Sequence, residues 1–458
     1  MNIFKHKMKH KKNSFERFFK WYKKFQVSKS PQMNLVWGFL LYTLIGFGLL
    51  SIPLFHKTDI DFLDNLFIST SAISTTGLVT ISVYDSYTTL GQFIIMALFQ
   101  IGGIGYMTLT TYYLLFTTKK ITHWHNKIIG TEFTLPKTIK IKDFIKSVIV
   151  FTVVMETLGA ICFFIAFKQS EMETFKAIWF SIFHSVSAFC TAGFGLFNDS
   201  FESYSNNSFI NTIISVLAIS GSLGFIVITD IWYRVRQKSK NISFTTKIVT
   251  YGFAFLLLIG TTLIYFTEPS IQNSDTKLLE AFFQSMTAMT TVGFNTIATG
   301  ELSLPILLLV TFLMYIGASP SGTAGGMKIT TLTAMISILK SRLFGQKQIT
   351  FLGRVIPFER LYVATSTFML YTSIIFLITF LLTFTETFDF QSILFEVASA
   401  LGTVGLSTGI TADLSTIGKV LIIFIMFIGR VGVLTFGFAL LERKSKKMNT
   451  IIEDDLAV

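Results

Sequence analysis

Charge is scarce in this chain of 458 residues: 14% are Asp, Glu, Lys or Arg, against roughly 25% in an ordinary soluble domain. Cysteine is scarcer still. Cys162 and Cys190 both sit in apolar surroundings, which supports neither a disulfide framework nor a cysteine metal cluster. The six histidines form no recurring cluster with carboxylates, so a polytopic membrane enzyme is a distant alternative. No strand-linked GxGxxG occurs, and no nucleotide-binding domain is expected in this chain. What fills the sequence is apolar, in runs at 35–55, 88–118, 144–167, 208–233, 248–267, 304–318, 361–384 and 419–441. Most exceed the roughly 18 residues that make a spanning helix. The expectation is an all-α membrane protein with eight transmembrane helices. The first run follows a basic stretch too long for a signal peptide, so it is expected to be retained.

A net charge of +12 invites a nucleic-acid reading, but its distribution argues for a membrane. With both termini cytoplasmic, 30 of the 38 Lys and Arg residues fall in 1–30, 119–143, 234–247, 340–360 and 443–447. This is a positive-inside pattern, and it requires an even number of crossings. Sixteen of the 26 acidic residues fall on the outer side. They read either as solvated loop residues or, together, as a field that concentrates cations at an outer mouth.

Four segments align without gaps. Phe67–Leu78, Phe183–Phe194, Phe283–Phe294 and Phe395–Leu406 each begin with Phe, carry Ser or Thr before Ala, and end in Thr-x-Gly and a large apolar residue. The endings are Thr75-Thr76-Gly77-Leu78, Thr191-Ala192-Gly193-Phe194, Thr291-Val292-Gly293-Phe294 followed by Asn295, and Thr403-Val404-Gly405-Leu406. A second landmark trails each glycine: Gly102-Gly103-Ile104-Gly105, Gly221-Ser222-Leu223-Gly224, Gly317-Ala318-Ser319-Pro320 and Gly429-Arg430-Val431-Gly432. The chain therefore divides into four helix, pore-loop, helix repeats at 35–118, 144–236, 245–343 and 361–442. A basic amphipathic N-terminus (1–34), a cytoplasmic loop (119–143) and a cytoplasmic C-terminus (443–458) complete it. Aromatic residues interleaved with Lys and Arg over 15–25 read as a helix lying on the inner membrane surface.

Each repeated segment is too short to cross a bilayer, but long enough for a half-helix and a re-entrant loop. Irregular backbone at membrane depth is tolerated only where protein buries it or water reaches it. Rings of backbone carbonyls can replace the water shell of a potassium ion, and glycine permits the dihedrals that turn successive carbonyls to one axis. A single such glycine would mean no more than a tight turn or close packing. Four in register predict a filter for a monovalent cation.

The third repeat's second helix is interrupted by Gly317-Ala318-Ser319-Pro320-Ser321-Gly322-Thr323-Ala324-Gly325-Gly326, too rich in glycine, with a proline, to hold a rigid helix. A Walker phosphate loop is excluded over Gly322–Lys328, because methionine precedes the lysine and isoleucine follows it. Arg430 stands alone within an apolar run and is expected to face polar protein, pinning the interrupted segment through its free carbonyls. The bland alternative is snorkelling to an interface. Glu156 is read as an interhelical pair or an ion-coupling group, His184 as a hydrogen-bonded structural residue opening a pore half-helix, and Asn295 as shaping the outer mouth.

On the four glycines, the broken helix and the arginine, the chain resembles the Trk/Ktr/HKT superfamily of potassium transporters, nearest to KtrB-type membrane subunits, over roughly 35–442. The resemblance implies potassium uptake across a bacterial cytoplasmic membrane, often aided by sodium. It implies a homodimer with one pore per protomer and a cytosolic ring of nucleotide-binding regulatory subunits, KtrA/KtrC-like. It implies that residues 317–326 form an intramembrane gate, and that glycine at Gly77, where a plant branch carries serine, favours potassium. The basic inner segments suit either that ring or anionic lipid. A channel-like subunit of an ATP-driven potassium pump is the nearer alternative.

Overall fold

The computed structural model describes residues 29–105, 108, 141–235 and 242–441. The amphipathic stretch at 15–25, most of the loop at 119–143 and the C-terminal tail at 443–458 lie outside these residues.

The four repeats are realised in chain order. Each opens with a long apolar helix: α1 (Pro31–Leu50), α4 (Ile141–Gln169), α8 (Phe244–Thr267) and α12 (Phe358–Thr385). Among the described residues, four helices are thus long and apolar enough to cross a membrane, or six if each bent pair described below is one span. α1 begins before the first apolar run because Ser30 caps it, accepting from the Met33 amide, with Pro31 in the first turn. Each is followed by a short half-helix: α2 (Phe62–Ile73), α5 (Thr174–Phe189), α9 (Lys277–Thr290) and α13 (Phe390–Gly402). These run 12 to 16 residues, and their inner turns are buried throughout. A second helix then descends: α3 (Thr89–Ile104), α6 (Ser208–Ser222), α10 (Leu304–Ile316) and α14 (Thr416–Val431).

The half-helices pack into the long helices at repeated small-residue contacts. Ser69 donates to the Thr43 carbonyl, Ser185 to Glu156 and Ser285 to Leu257, at 2.7 to 3.2 Å. Opposite each serine the long helix carries Gly46, Gly159 or Gly260, where any Cβ would strike that hydroxyl. This is how helices approach closely in an apolar solvent that gives no hydrophobic drive. The fourth repeat places Val397 at that position instead. The outward faces of the long helices expose large apolar side chains such as Phe255, Leu258, Phe376 and Phe384, as a lipid-facing surface requires.

One expectation needs correction. Only the third repeat was expected to have a broken second helix, yet all four break at a positive-φ glycine: Gly105, Gly224, Gly317 and Gly432. α6 is followed by α7 (Phe225–Val235) at 90°, and α14 by α15 (Val433–Leu440) at 98°. An unbroken apolar run hides such a bend, because hydropathy does not register a left-handed glycine. Gly317 accordingly matches the last glycine of the landmark in the other repeats, not the first. In the third repeat the gap runs from Gly317 to Lys328, two residues beyond the expected loop, before α11 (Ile329–Leu343) resumes. A two-stranded hairpin, β1 (Thr350–Phe351) with β2 (Arg354–Val355), joins α11 to α12.

Candidate permeation site

Each half-helix ends in the same turn. Thr75, Thr191, Thr291 and Thr403 all adopt the left-handed conformation, with φ of 49° to 56°. The amides of Thr76, Ala192, Val292 and Val404 reach back to the carbonyls of Ser71, Ser187, Thr287 and Ser399, at 2.9 to 3.2 Å. The threonine amides reach Ala72, Ala188, Ala288 and Ala400 at 3.0 to 3.4 Å. This is a Schellman cap with threonine where glycine is usual. A strained threonine in place of glycine brings a hydroxyl to the inner side of the turn. Gly77, Gly193, Gly293 and Gly405 follow with φ of +67° to +94°.

The four loops meet head to tail. A Cβ on Gly77 would lie 2.6 Å from the Ala192 carbonyl oxygen, and one on Gly193 would lie 2.5 Å from that of Val292. Gly293 backs in the same way onto the Val404 carbonyl, and Gly405 onto that of Thr76. The order closes on itself, so the loops form one ring. Leu78, Phe194, Phe294 and Leu406 turn away from it and are buried. Phe194 stacks on Phe99 at 5.9 Å and Phe294 meets Phe201 edge-on at 5.0 Å, so these loops are nailed into the core beside them.

Above the ring is a cavity of about 360 Å³ lined by the four glycines together with Asp199, Glu202 and Asn295. Asn295 does join two repeats there. Its side-chain amide donates to Glu202 Oε1 at 2.6 Å, and its backbone carbonyl accepts from the Phe201 amide at 3.0 Å. Desolvation raises the Glu202 pKa, and the Asn295 bond opposes that. Most other outward acids with resolved partners are structural. Glu268 and Glu386 accept from the amides and hydroxyls of Ser303 and Ser415, tying each long helix to the start of the next descending one. Asp64 pairs with Lys419 at 2.8 Å. The reading of solvated loop residues therefore fails for these acids: Glu268 is buried, and Glu386 and Asp64 are largely shielded and held by their partners.

Below the ring lies the interrupted segment. It threads the 90° bend between α6 and α7. The Ser319 and Thr323 amides donate to the terminal carbonyls Ser222 and Gly221 at 3.3 and 3.1 Å. The Ser321 carbonyl and hydroxyl accept from the Phe225 and Ile226 amides at 3.1 and 3.3 Å. Orphan groups at both helix ends are thus satisfied by the loop. Gly317 and Gly326 take positive φ, and the Ala318 carbonyl accepts from the Ile329 amide at 3.0 Å. Pro320 lies against Gly224 and Gly322 against Ser222, closely enough that a side chain on either glycine would not fit.

Arg430 reaches this segment with its guanidinium among polar groups of the protein. It donates to the Thr323 carbonyl at 2.6 Å, to Thr75 Oγ1 at 3.0 Å and to the Gly103 carbonyl at 3.2 Å, and it also contacts the Gly102 carbonyl. The last two are terminal carbonyls of α3, where a cation is favoured by the helix dipole. Sequence reasoning missed a second cation. Lys328 Nζ donates to the Ala324 and Gly325 carbonyls at 2.5 and 2.6 Å, folding the loop's end onto itself. The signal was there, a lysine just after a glycine pair within an apolar region. A second cavity of about 210 Å³ lies on this side, lined by Gly325, Lys328 and Arg430 among others and by none of the ring glycines.

Of the lesser candidates, Glu156 is an interhelical pair, accepting from Gln100 Nε2 at 3.1 Å beside Cys190, whose thiol lies 3.1 Å from Gln100 Oε1. His184 is structural. Its Nε2 accepts from the Leu196 amide at 3.1 Å and its Nδ1 faces the Phe180 carbonyl at 2.7 Å, so Nδ1 carries the proton. It does not open the half-helix, which begins ten residues earlier at Thr174.

A family model described as cation transport protein matches residues 19–448. The chain belongs to the TrkH family of cation transport proteins. Like its family, it is a membrane protein. It is 36% identical to the potassium/sodium uptake protein NtpJ of Enterococcus hirae over 91% of this chain and 94% of that one. It is 33% identical to the Ktr system potassium uptake protein B of Vibrio alginolyticus, over 90% and 91%. Among solved structures, the potassium transporter TrkH from Vibrio parahaemolyticus has the same fold, with a TM-score of 0.72 at 20% identity over 90% of this chain and 86% of that one.

Proposed function

We propose that this chain carries potassium into a bacterial cell across the cytoplasmic membrane, through the ring of four loops, with residues 317–328 as the gate and Arg430 as its pin. One observation supports it above the others: the four Thr-x-Gly loops contact each other head to tail in a closed order. The carbonyls of Thr76, Ala192, Val292 and Val404 then stand where several oxygens can replace the water of one ion. The printed names of the relatives support potassium as cargo, and NtpJ's supports sodium as a second ion. Inward movement needs no chemical fuel, since 100 mV, inside negative, is worth about 2.3 kcal/mol per charge.

The naming of relatives as parts of a Ktr system supports a membrane subunit that works with other components. We infer a homodimer with cytoplasmic termini, its basic inner segments facing a nucleotide-binding ring or anionic lipid. Purified protein in liposomes tests the core of the proposal. Rubidium uptake without ATP, displaced by potassium, is expected; strict dependence on ATP would assign the chain to a pump, and rubidium exclusion even from a variant shortened within 318–324 would end the reading.

A further inference from the structure

Each half-helix turns one face toward the loop that leaves the ring, and two side chains three residues apart share that face. The deeper one holds the ring itself in three repeats. Ser71 and Ser399 Oγ accept from the Gly77 and Gly405 amides at 3.1 Å, and Thr287 Oγ1 donates to the Phe294 carbonyl at 2.6 Å. The outer one, next to the repeated phenylalanine, differs in every repeat: Ile68, His184, Gln284 and Glu396. All four are fully buried. His184 accepts from the Leu196 amide, and Glu396 Oε1 accepts from Thr411 Oγ1, itself 2.9 Å from Ser407 Oγ. Both side chains thus brace the segment just beyond a ring glycine. A carboxylate is more than that task needs. Glu396 Oε2 has no hydrogen-bond partner among the described residues, and the one ion pair found among them is that of Asp64 with Lys419. A buried charge is strongly unfavourable unless an opposite charge answers it.

We propose that the Glu396 carboxylate is the counter-charge of the monovalent cation held in the ring, attracting it from behind the fourth loop without touching it. This rests on the permeation reading above and deepens it, by naming a residue that sets ion affinity. Glu396 lies less than one turn, about 5 Å along the helix, from Ser399, whose hydroxyl holds the Gly405 amide. The carboxylate therefore stands on the order of 10 Å from the ring. That is too far to coordinate an ion and near enough to draw one, because the intervening protein screens charge far less than water does. Peptide carbonyls are dipoles without net charge, so an acid behind them supplies the charge they lack. Lys328 and Arg430 bind carbonyls below the ring and form no ion pair with Glu396. In this account distance from the centre matters and contact does not. Gln284 holds the matching place in the third repeat, fully buried with neither amide atom partnered among the described residues. Since the four loops close in order, a carboxylate at Gln284 would stand at a similar remove from the same ion.

The test is thermal unfolding of the purified full chain in detergent as potassium is raised. Glu396→Gln keeps the shape and the acceptor for Thr411 and removes only the charge. It is expected to raise the potassium concentration needed for stabilisation by about tenfold, the effect of unit charges on the order of 10 Å apart at an effective dielectric of about 20. Without potassium the variant should unfold no lower than the intact chain, because an unanswered buried charge has gone. The exchange of Gln284→Glu with Glu396→Gln restores the potassium dependence, which a brace on Thr411 alone would not do. Stabilisation of Glu396→Gln at the same potassium concentration as the intact chain, whether or not it unfolds lower, makes Glu396 a brace and overturns this inference alone. So does an exchanged protein that stays as weak as Glu396→Gln. If potassium stabilises not even the intact chain, the ring holds no potassium, and the permeation reading falls together with this inference.

Discussion

Gly77 carries the most direct residue-scale test. Its φ is +92° and a Cβ there would press on the Ala192 carbonyl, one of the four ring oxygens. Serine pays roughly 1 to 2 kcal/mol for the left-handed backbone and must also move that oxygen. Since about 1.4 kcal/mol is tenfold in an equilibrium, Gly77→Ser is expected to lower potassium over sodium preference by about tenfold in a flux assay. Gly409 is the control. It has φ of +103°, but a Cβ added there would find nothing within 4 Å, so Gly409→Ala carries the backbone strain without displacing an oxygen and leaves the preference intact. The glycines were legible in sequence because four copies in register outweigh any one. The threonines were legible as a pattern but not as a reason, since a left-handed non-glycine residue is visible only once its backbone is placed. Arg430 was legible because an isolated charge in an apolar run must find polar protein. Its partners on α3 were not, because they lie 327 and 328 residues away.

At the scale of elements, the loop and the α6–α7 bend explain each other. A helix broken at 90° exposes orphan carbonyls on one side and orphan amides on the other, and the residues from Ser319 to Thr323 answer both. Ser321 acts as the cap of α7, through its hydroxyl as well as its carbonyl. Losing a capping hydroxyl costs about 1 kcal/mol. If the loop leaves this bend when the gate opens, Ser321→Ala weakens only the closed state, and resting rubidium uptake should rise by about fivefold. Unchanged uptake would mean that the loop stays docked on α7 during opening. Arg430→Ala removes more, because it leaves several buried carbonyls without a donor at about 1 to 3 kcal/mol each. Resting uptake should rise well beyond the Ser321→Ala value, with Arg430→Lys between, since an ammonium cannot span the same fork of acceptors. Equal leak in all three proteins would show that Arg430 does not hold the gate. The bends themselves escaped the sequence reading for a physical reason: bent and straight helices bury the same apolar run, and only the backbone sign at one glycine separates them.

A ring built from one chain has a seam, where the last repeat must meet the first. Here the seam is α2 against α14, and it carries the single ion pair found among the described residues, Asp64 with Lys419 at 2.8 Å and largely shielded from solvent. The two residues are 355 positions apart, so closing this contact fixes a loop of most of the chain, and its entropy cost is met only once the intervening repeats are folded. The pair also stands on the outer side of the half-helix whose other end builds the ring, so a loosened seam should widen the gap between Gly405 and Gly77 before it unfolds anything. A double-mutant cycle of Asp64→Asn and Lys419→Met is expected to give a coupling of about 1 kcal/mol in thermal unfolding in detergent, the upper end for an exposed pair because this one is shielded. Each single substitution should also lower potassium over sodium preference, and the double substitution no further. Strict additivity in stability, with selectivity untouched, would mean that the seam is held by α2–α14 packing alone and that the charge pair only decorates it.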